Sequence, residues 1–191
     1  MTALILGLLL FLGAHSVRIF AEGWRDAQHA RFGDGRWKAL FSIVSLAGFA
    51  FIVWGYGAAR LDPVVLWQPP LWTRHLAALL TLPAFVLIAA AYAPDNRLRA
   101  ALGHPMVIGV KVWALAHLIA NGQLADVVLF GSFLVWALFD FRAARRRDAA
   151  DGVRRGAGTL RGDAATLLIG IGAWAAFALY LHTWLIGVPP L

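Results

Sequence analysis

At 191 residues, 61% of them hydrophobic, and with a mean hydropathy of +0.71, the chain is too apolar for a soluble globular domain and reads as an integral membrane protein. The net charge of +7 would suggest nucleic acid in a soluble chain, but the arginines sit in connections between apolar runs, where they set membrane orientation. With no cysteine there is no disulfide, thiolate nucleophile, iron–sulfur cluster or covalent c-type haem attachment.

A helix crosses a bilayer with about 20 apolar residues, and six such stretches are predicted. The expected fold is all-α, a polytopic bundle of six transmembrane helices in one domain, residues 1–191. The first span, about 4–20, lacks the basic n-region and small-residue cleavage site of a signal peptide, so it is expected to be retained. A polar stretch broken by Gly33 and Gly35 follows and reads as a loop. The second span is about 39–59. The segment LDPVVLWQPPLW then reads as an interfacial connection, because its prolines oppose helix and its indoles suit the headgroup boundary.

The third span, about 74–92, ends at Ala93-Pro94-Asp95-Asn96, a turn sequence. The fourth, about 105–120, starts with proline, where a missing N–H matters least. Asn121-Gly122 turns the chain into the fifth, about 124–141, so these two are expected to form an antiparallel hairpin. A long arginine-rich loop leads to the sixth, about 164–187. The connections after the first, third and fifth spans hold fourteen Lys and Arg, against two in the others. By the positive-inside rule both termini are expected on the periplasmic side of a bacterial inner membrane.

The stretch Gly103–Gly122 is apolar enough to cross a bilayer, yet carries His104, Lys111, His117 and Asn121, which are costly at depth unless partnered. At 100° per residue, His104 and Lys111 share one face, while His117 and Trp113 lie roughly opposite. The two histidines are about 20 Å apart along the helix, so one site takes one of them and draws its other groups from other helices. His15 and His182 also lie inside apolar runs, whereas His29 and His75 read as solvated and interfacial.

An intramembrane imidazole can be an interhelical hydrogen-bonding group or a ligand of metal or haem iron. With no HExxH, no carboxylate within a turn of these histidines and few acids at depth, a flat apolar cofactor suits the residues better than a carboxylate cage. His15 and His117 are each about 18 Å in from opposite membrane faces, an offset of about 6 Å, so they are expected to face each other near the midplane. His182, about 27 Å from the cytoplasmic side, matches less closely. It and His104 are the alternates.

His15-Ser16, the run RWKALFSIVSL from Arg36 to Leu46, His104-Pro105-Met106 and WALAHLIANG from Trp113 to Gly122 resemble the NnrU family, whose membrane domain is shared with plant 15-cis-zeta-carotene isomerase. The resemblance implies a b-type haem held by the histidines of the HS and AH motifs, here His15 and His117. Haem propionates need cationic donors, for which Lys111, Arg18 and Arg74 are candidates, and Trp113 and Trp136 are candidates to pack on the macrocycle.

The implied function is redox-gated cis–trans isomerisation of an apolar polyene. The alternative is a haem-based nitric oxide sensor or accessory protein of denitrification. A methyltransferase reading, from the likeness of the HP-initiated hairpin to isoprenylcysteine carboxyl methyltransferases, ranks lower, because arginines stand where an acidic element is needed. A scaffold without cofactor is the remaining reading. The expected partners are the lipid bilayer and a polyene or small gaseous ligand, with no nucleic acid; substrate and redox partner stay open.

Overall fold

The computed structural model describes residues 1–190 and is helical almost throughout. In chain order the helices are α1 (Thr2–Phe20), α2 (Glu22–Ala59), α3 (Trp72–Tyr92), α4 (Arg97–Leu102), α5 (Pro105–Ala120), α6 (Leu124–Ala150) and α7 (Leu160–Ala176). A π-helical turn, Phe177–Leu181, continues α7 into the short α8 (His182–Ile186). No strand occurs among the described residues, only an isolated bridge between Val65 and Gln123.

Among the described residues, five helical segments are long and apolar enough to cross a membrane: α1, α2, α3, α6 and the run from Leu160 to Ile186. The fourth expected span, α5, is apolar but only 16 residues long. That is about 24 Å, short of a hydrocarbon core of about 30 Å.

Packing follows the order α2, α1, α6, α5, α3, α7, each helix lying against the next. The buried core is built largely of small residues, among them Ala84, Ala90, Ala114, Ala116 and Ala137, while large apolar side chains such as Ile43, Leu46, Trp54 and Leu168 face outward. That inversion of a soluble core suits a lipid environment, where helices associate through close backbone approach. The antiparallel α1/α2 pair shows it directly. A Cβ at Gly7 would lie 2.5 Å from the Ile52 backbone nitrogen, and one at Gly48 would lie 2.6 Å from that of Phe11. Continuing this register by one turn sets His15 level with Phe41 and Ser45.

Three sequence expectations change. The polar stretch before the second span is not a loop: α2 begins at Glu22 and bends only at Gly33, whose φ of 74° favours glycine. Polar residues can surround a helix that lies outside hydrocarbon, and here Lys38 donates to Asp34 at 2.8 Å, one turn away. Trp24 and Trp37 meet edge to face at 6.2 Å across the bend. The fifth expected span continues past Phe141 to Ala150, since its arginine-rich tail contains good helix formers. The sixth begins at Leu160, where Thr159 caps the first turn by accepting from the Gly162 N–H at 3.0 Å.

The connections behave as their residues dictate. Asp95 turns with φ 41°, and Asn96 caps α4 while its amide donates to Ala90 O and Ala93 O, each at 2.8 Å. The proline-rich segment runs back along the α5/α6 turn, with Leu66 N donating to Gly122 O and Leu124 N to Val64 O, both at 2.8 Å. The α5/α6 pair packs as the expected hairpin.

Candidate functional site

His15 and His117 share one local device. Each Nδ1–H donates to the carbonyl oxygen four residues earlier on its own helix, His15 to Phe11 at 2.7 Å and His117 to Trp113 at 2.8 Å. The bond fixes the ring and its tautomer and leaves Nε2 with a free lone pair, the form in which imidazole binds a metal.

α6 runs between the two histidines. His117 stacks on Phe130 at 4.5 Å between ring centroids and 28° between planes. His15 lies edge-on to Trp136 at 6.1 Å, beside Phe41 on α2 at 4.9 Å. Phe130 and Trp136 are six residues apart on α6, so the imidazoles are offset by about 9 Å along it. The span-counting offset of about 6 Å assumed that both helices start level with the membrane face. Among the described residues no ring contact joins the two histidines. An aromatic chain does, from His15 to Phe11 (4.3 Å), Phe133 (5.9 Å), Trp113 (5.6 Å) and His117 (5.1 Å). The donor atoms have the chemistry that haem iron takes, and the rings between them are apolar surfaces of the kind that pack on a macrocycle, but both imidazoles reach one iron only if the offset of about 9 Å along α6 closes. Trp113 and Trp136 both belong to this set.

The other expected residues are more dispersed. Lys111 sets its ammonium over the Phe141 ring at 3.7 Å, toward the N-terminal end of α5 and away from His117. His104, at the start of α5, donates from Nε2 to Asp148 at 2.7 Å, and Arg155 binds the same carboxylate oxygen. The Arg155 guanidinium, followed by His104, holds the Asp148 carboxyl below the usual carboxylate range. His104 is thereby tied to the segment that follows α6. Arg18 pairs with Glu22 at that end, and Arg74 is exposed. His182 follows the π-helical turn and donates from Nδ1 to Val188 O at 2.6 Å.

Sequence reasoning missed Asp126. Its carboxylate is 3% exposed at the start of α6, accepting from the Tyr56 hydroxyl at 2.6 Å and the Gln123 backbone N–H at 2.9 Å. It shares a helix face with Phe130, the ring under His117. Arg60 completes the surroundings, placed 5.9 Å from the Tyr56 ring and donating to Ile186 O at 2.8 Å. The available signal was the spacing of Gln123 and Asp126, a capping box at the head of a span.

Between α1 and α6 a groove of about 510 Å³ runs from Leu12 to Phe20 on one wall and from Gly131 to Phe139 on the other. Trp136 lines it, and its indole N–H is buried without an acceptor. The Ser45 hydroxyl is the second buried polar atom left without a partner among the described residues.

A family model described as NnrU protein matches residues 3–190 of this chain. No curated protein and no solved structure matches it.

Proposed function

The chain belongs to the NnrU family, and from that premise we propose that it is a haem-b protein of the bacterial inner membrane, with both termini periplasmic. Its haem is held by His15 and His117, and its activity is the redox-gated cis–trans isomerisation of an apolar polyene. The observation that carries this reading is the matched pair of intramembrane imidazoles, each with Nδ1–H committed to its own helix and Nε2 free.

A haem held by His15 and His117 would supply a redox-active iron. The chain's own residues do the rest. Phe11, Phe133, Trp113 and Phe130 keep water from the imidazoles and offer flat apolar faces to macrocycle and polyene. Asp126, held by Tyr56, places a fixed acceptor one turn from Phe130, the ring that stacks on His117. The small residues of the helix interfaces let the helices pass closely, and the large apolar side chains outside keep the site within reach of lipid-dissolved substrates.

One observation favours a variation in the ligand set. His182 also donates from Nδ1 to a backbone carbonyl, that of Val188 six residues later, so it stands as the alternative second ligand. Optical spectra of the purified protein and its single histidine variants separate the two pairings. Loss of the polyene reaction with retention of tight nitric oxide binding would move the function to sensing in nitrogen-oxide metabolism at the same site.

A further inference from the structure

We propose that Arg142, Arg145 and Arg146, near the C-terminal end of α6, bind the phosphate of an anionic phospholipid of the surrounding bilayer. This goes beyond the haem reading and does not rest on it. Over its last turns α6 has two faces. On one, Ala137 and Ala144 are buried, and Arg147 and Asp148 are spent within the protein: Arg147 donates to Arg18 O at 3.2 Å and pairs with Glu22 at 3.8 Å, while Asp148 holds His104 and Arg155. On the other, Val135, Leu138 and Phe139 point outward, each at least 40% exposed. At 100° per residue these three and the three arginines fall within one arc of about 120°. The face that α6 shows to lipid therefore changes from apolar to basic without turning away from the bilayer.

The change comes at the depth of the lipid phosphates. A hydrocarbon core of about 30 Å takes about 20 helical residues, so counted from Leu124 it ends at roughly residue 143. The three arginines lie within about 5 Å of that level. All are exposed, and among the described residues none of them meets a carboxylate or a backbone carbonyl. The acids of this stretch do not serve them: Asp140 falls on the opposite side of the helix, and Asp148 is taken by Arg155 and His104.

Charge and shape choose the occupant. Side chains one turn apart have Cβ atoms about 5–6 Å from each other, so the guanidinium groups can converge on one headgroup, and each fork can take two phosphate oxygens. A zwitterionic headgroup brings its own cation to such a patch and gains little there. A headgroup of net negative charge has no such offset, which selects the anionic class. The apolar residues next to the arginines select a lipid over a soluble polyanion, because the molecule that presents its phosphate to Arg142 and Arg146 lays its acyl chains along Val135, Leu138 and Phe139.

The test places a fluorescent maleimide on Leu138→Cys in the full-length protein, which has no other cysteine, in phosphatidylcholine nanodiscs. Phosphatidylglycerol or phosphatidylcholine with a nitroxide on its acyl chain is added at equal mole fraction, and quenching of the label reports which lipid sits beside it. The phosphatidylglycerol probe should be favoured about fivefold or more, the worth of one arginine near an anionic lipid surface. Arg142→Gln, Arg145→Gln and Arg146→Gln combined should bring the ratio close to one. Eleven Lys and Arg then remain in the basic connections against two in the others, so orientation is retained. A label at Leu79→Cys, exposed near the start of α3 at the opposite membrane face, should also give a ratio close to one. Melting curves establish folding, and Arg145→Gln with Arg146→Gln decides if the triple variant does not fold. Equal quenching by the two probes at Leu138→Cys, a preference undiminished in the folded variants, or the same preference at Leu79→Cys would overturn the proposal.

Discussion

Tyr56 on α2 donates its phenolic hydrogen to Asp126 on α6 at 2.6 Å, joining two helices that touch little elsewhere. The bond reaches across 70 positions and satisfies a carboxylate buried at the head of a membrane helix. Tyr56→Phe leaves one oxygen of that buried acid unpartnered. A loss of about 1–3 kcal/mol is expected, read by thermal or denaturant unfolding in detergent. Asp126→Ala should cost more, because it also removes the carboxylate that accepts from Gln123 N. Unfolding curves that superimpose on wild type would show that the pair bears no load.

Close backbone approach makes α1/α2 intolerant of a single methyl group. Gly48→Ala puts a Cβ 2.6 Å from the Phe11 nitrogen, whereas Gly57→Ala meets nothing within 4 Å. The first should destabilise by about 1–3 kcal/mol, the usual cost of overpacking, and the second should be near neutral. Because the same register carries His15 toward Phe41, Gly48→Ala should also reduce haem retention. Equal behaviour of the two variants in melting and haem content would contradict this packing.

Near the C-terminal end of α6, Asp148 accepts from Arg155 and His104 and so ties the segment after α6 to the start of α5. Its carboxyl is held below the ordinary value of about 3.9. A depressed acid contributes stability that is fully present above that ordinary value and is lost as pH falls through its lowered one. Protease cutting between residues 151 and 159 should therefore be constant from about pH 8 to pH 5 and should rise only below about pH 4. Asp148→Asn should be cut faster throughout. Wild-type cutting that rises between pH 7 and pH 5 would assign the tie to another group.

Orientation is open to a direct check because the chain has no cysteine. A membrane-impermeant maleimide applied to intact cells or spheroplasts should label Gln68→Cys, in the connection after α2, and spare Ala150→Cys at the end of α6. Both positions are exposed. The opposite pattern would invert the topology drawn from the arginines.

Five of the six expected spans were legible because hydropathy reports them without regard to packing. Their ends were less so: the stretch from Glu22 to Lys38 has a loop's composition, yet charges at one-turn spacing support a helix once it lies outside hydrocarbon. Helix-length arithmetic brought His15 and His117 to similar depths but had no access to sliding between neighbours, which α6 records as the interval from Phe130 to Trp136. Asp126 escaped notice because a carboxylate at the start of a helix reads as a cap, and its burial depends on Tyr56, far off in the chain. The imidazole hydrogen bonds were local and readable in principle, since each acceptor lies four residues back.

The central claim, haem on His15 and His117, is tested most directly by absorption spectra of the full-length protein purified in detergent from haem-sufficient cells. Wild type should show a Soret band with sharp reduced α and β bands, the mark of six-coordinate low-spin iron. His15→Ala and His117→Ala should each weaken or shift it, and His182→Ala should not. A colourless preparation that also fails to take up added haemin, or unaltered spectra in both His15→Ala and His117→Ala, would contradict it.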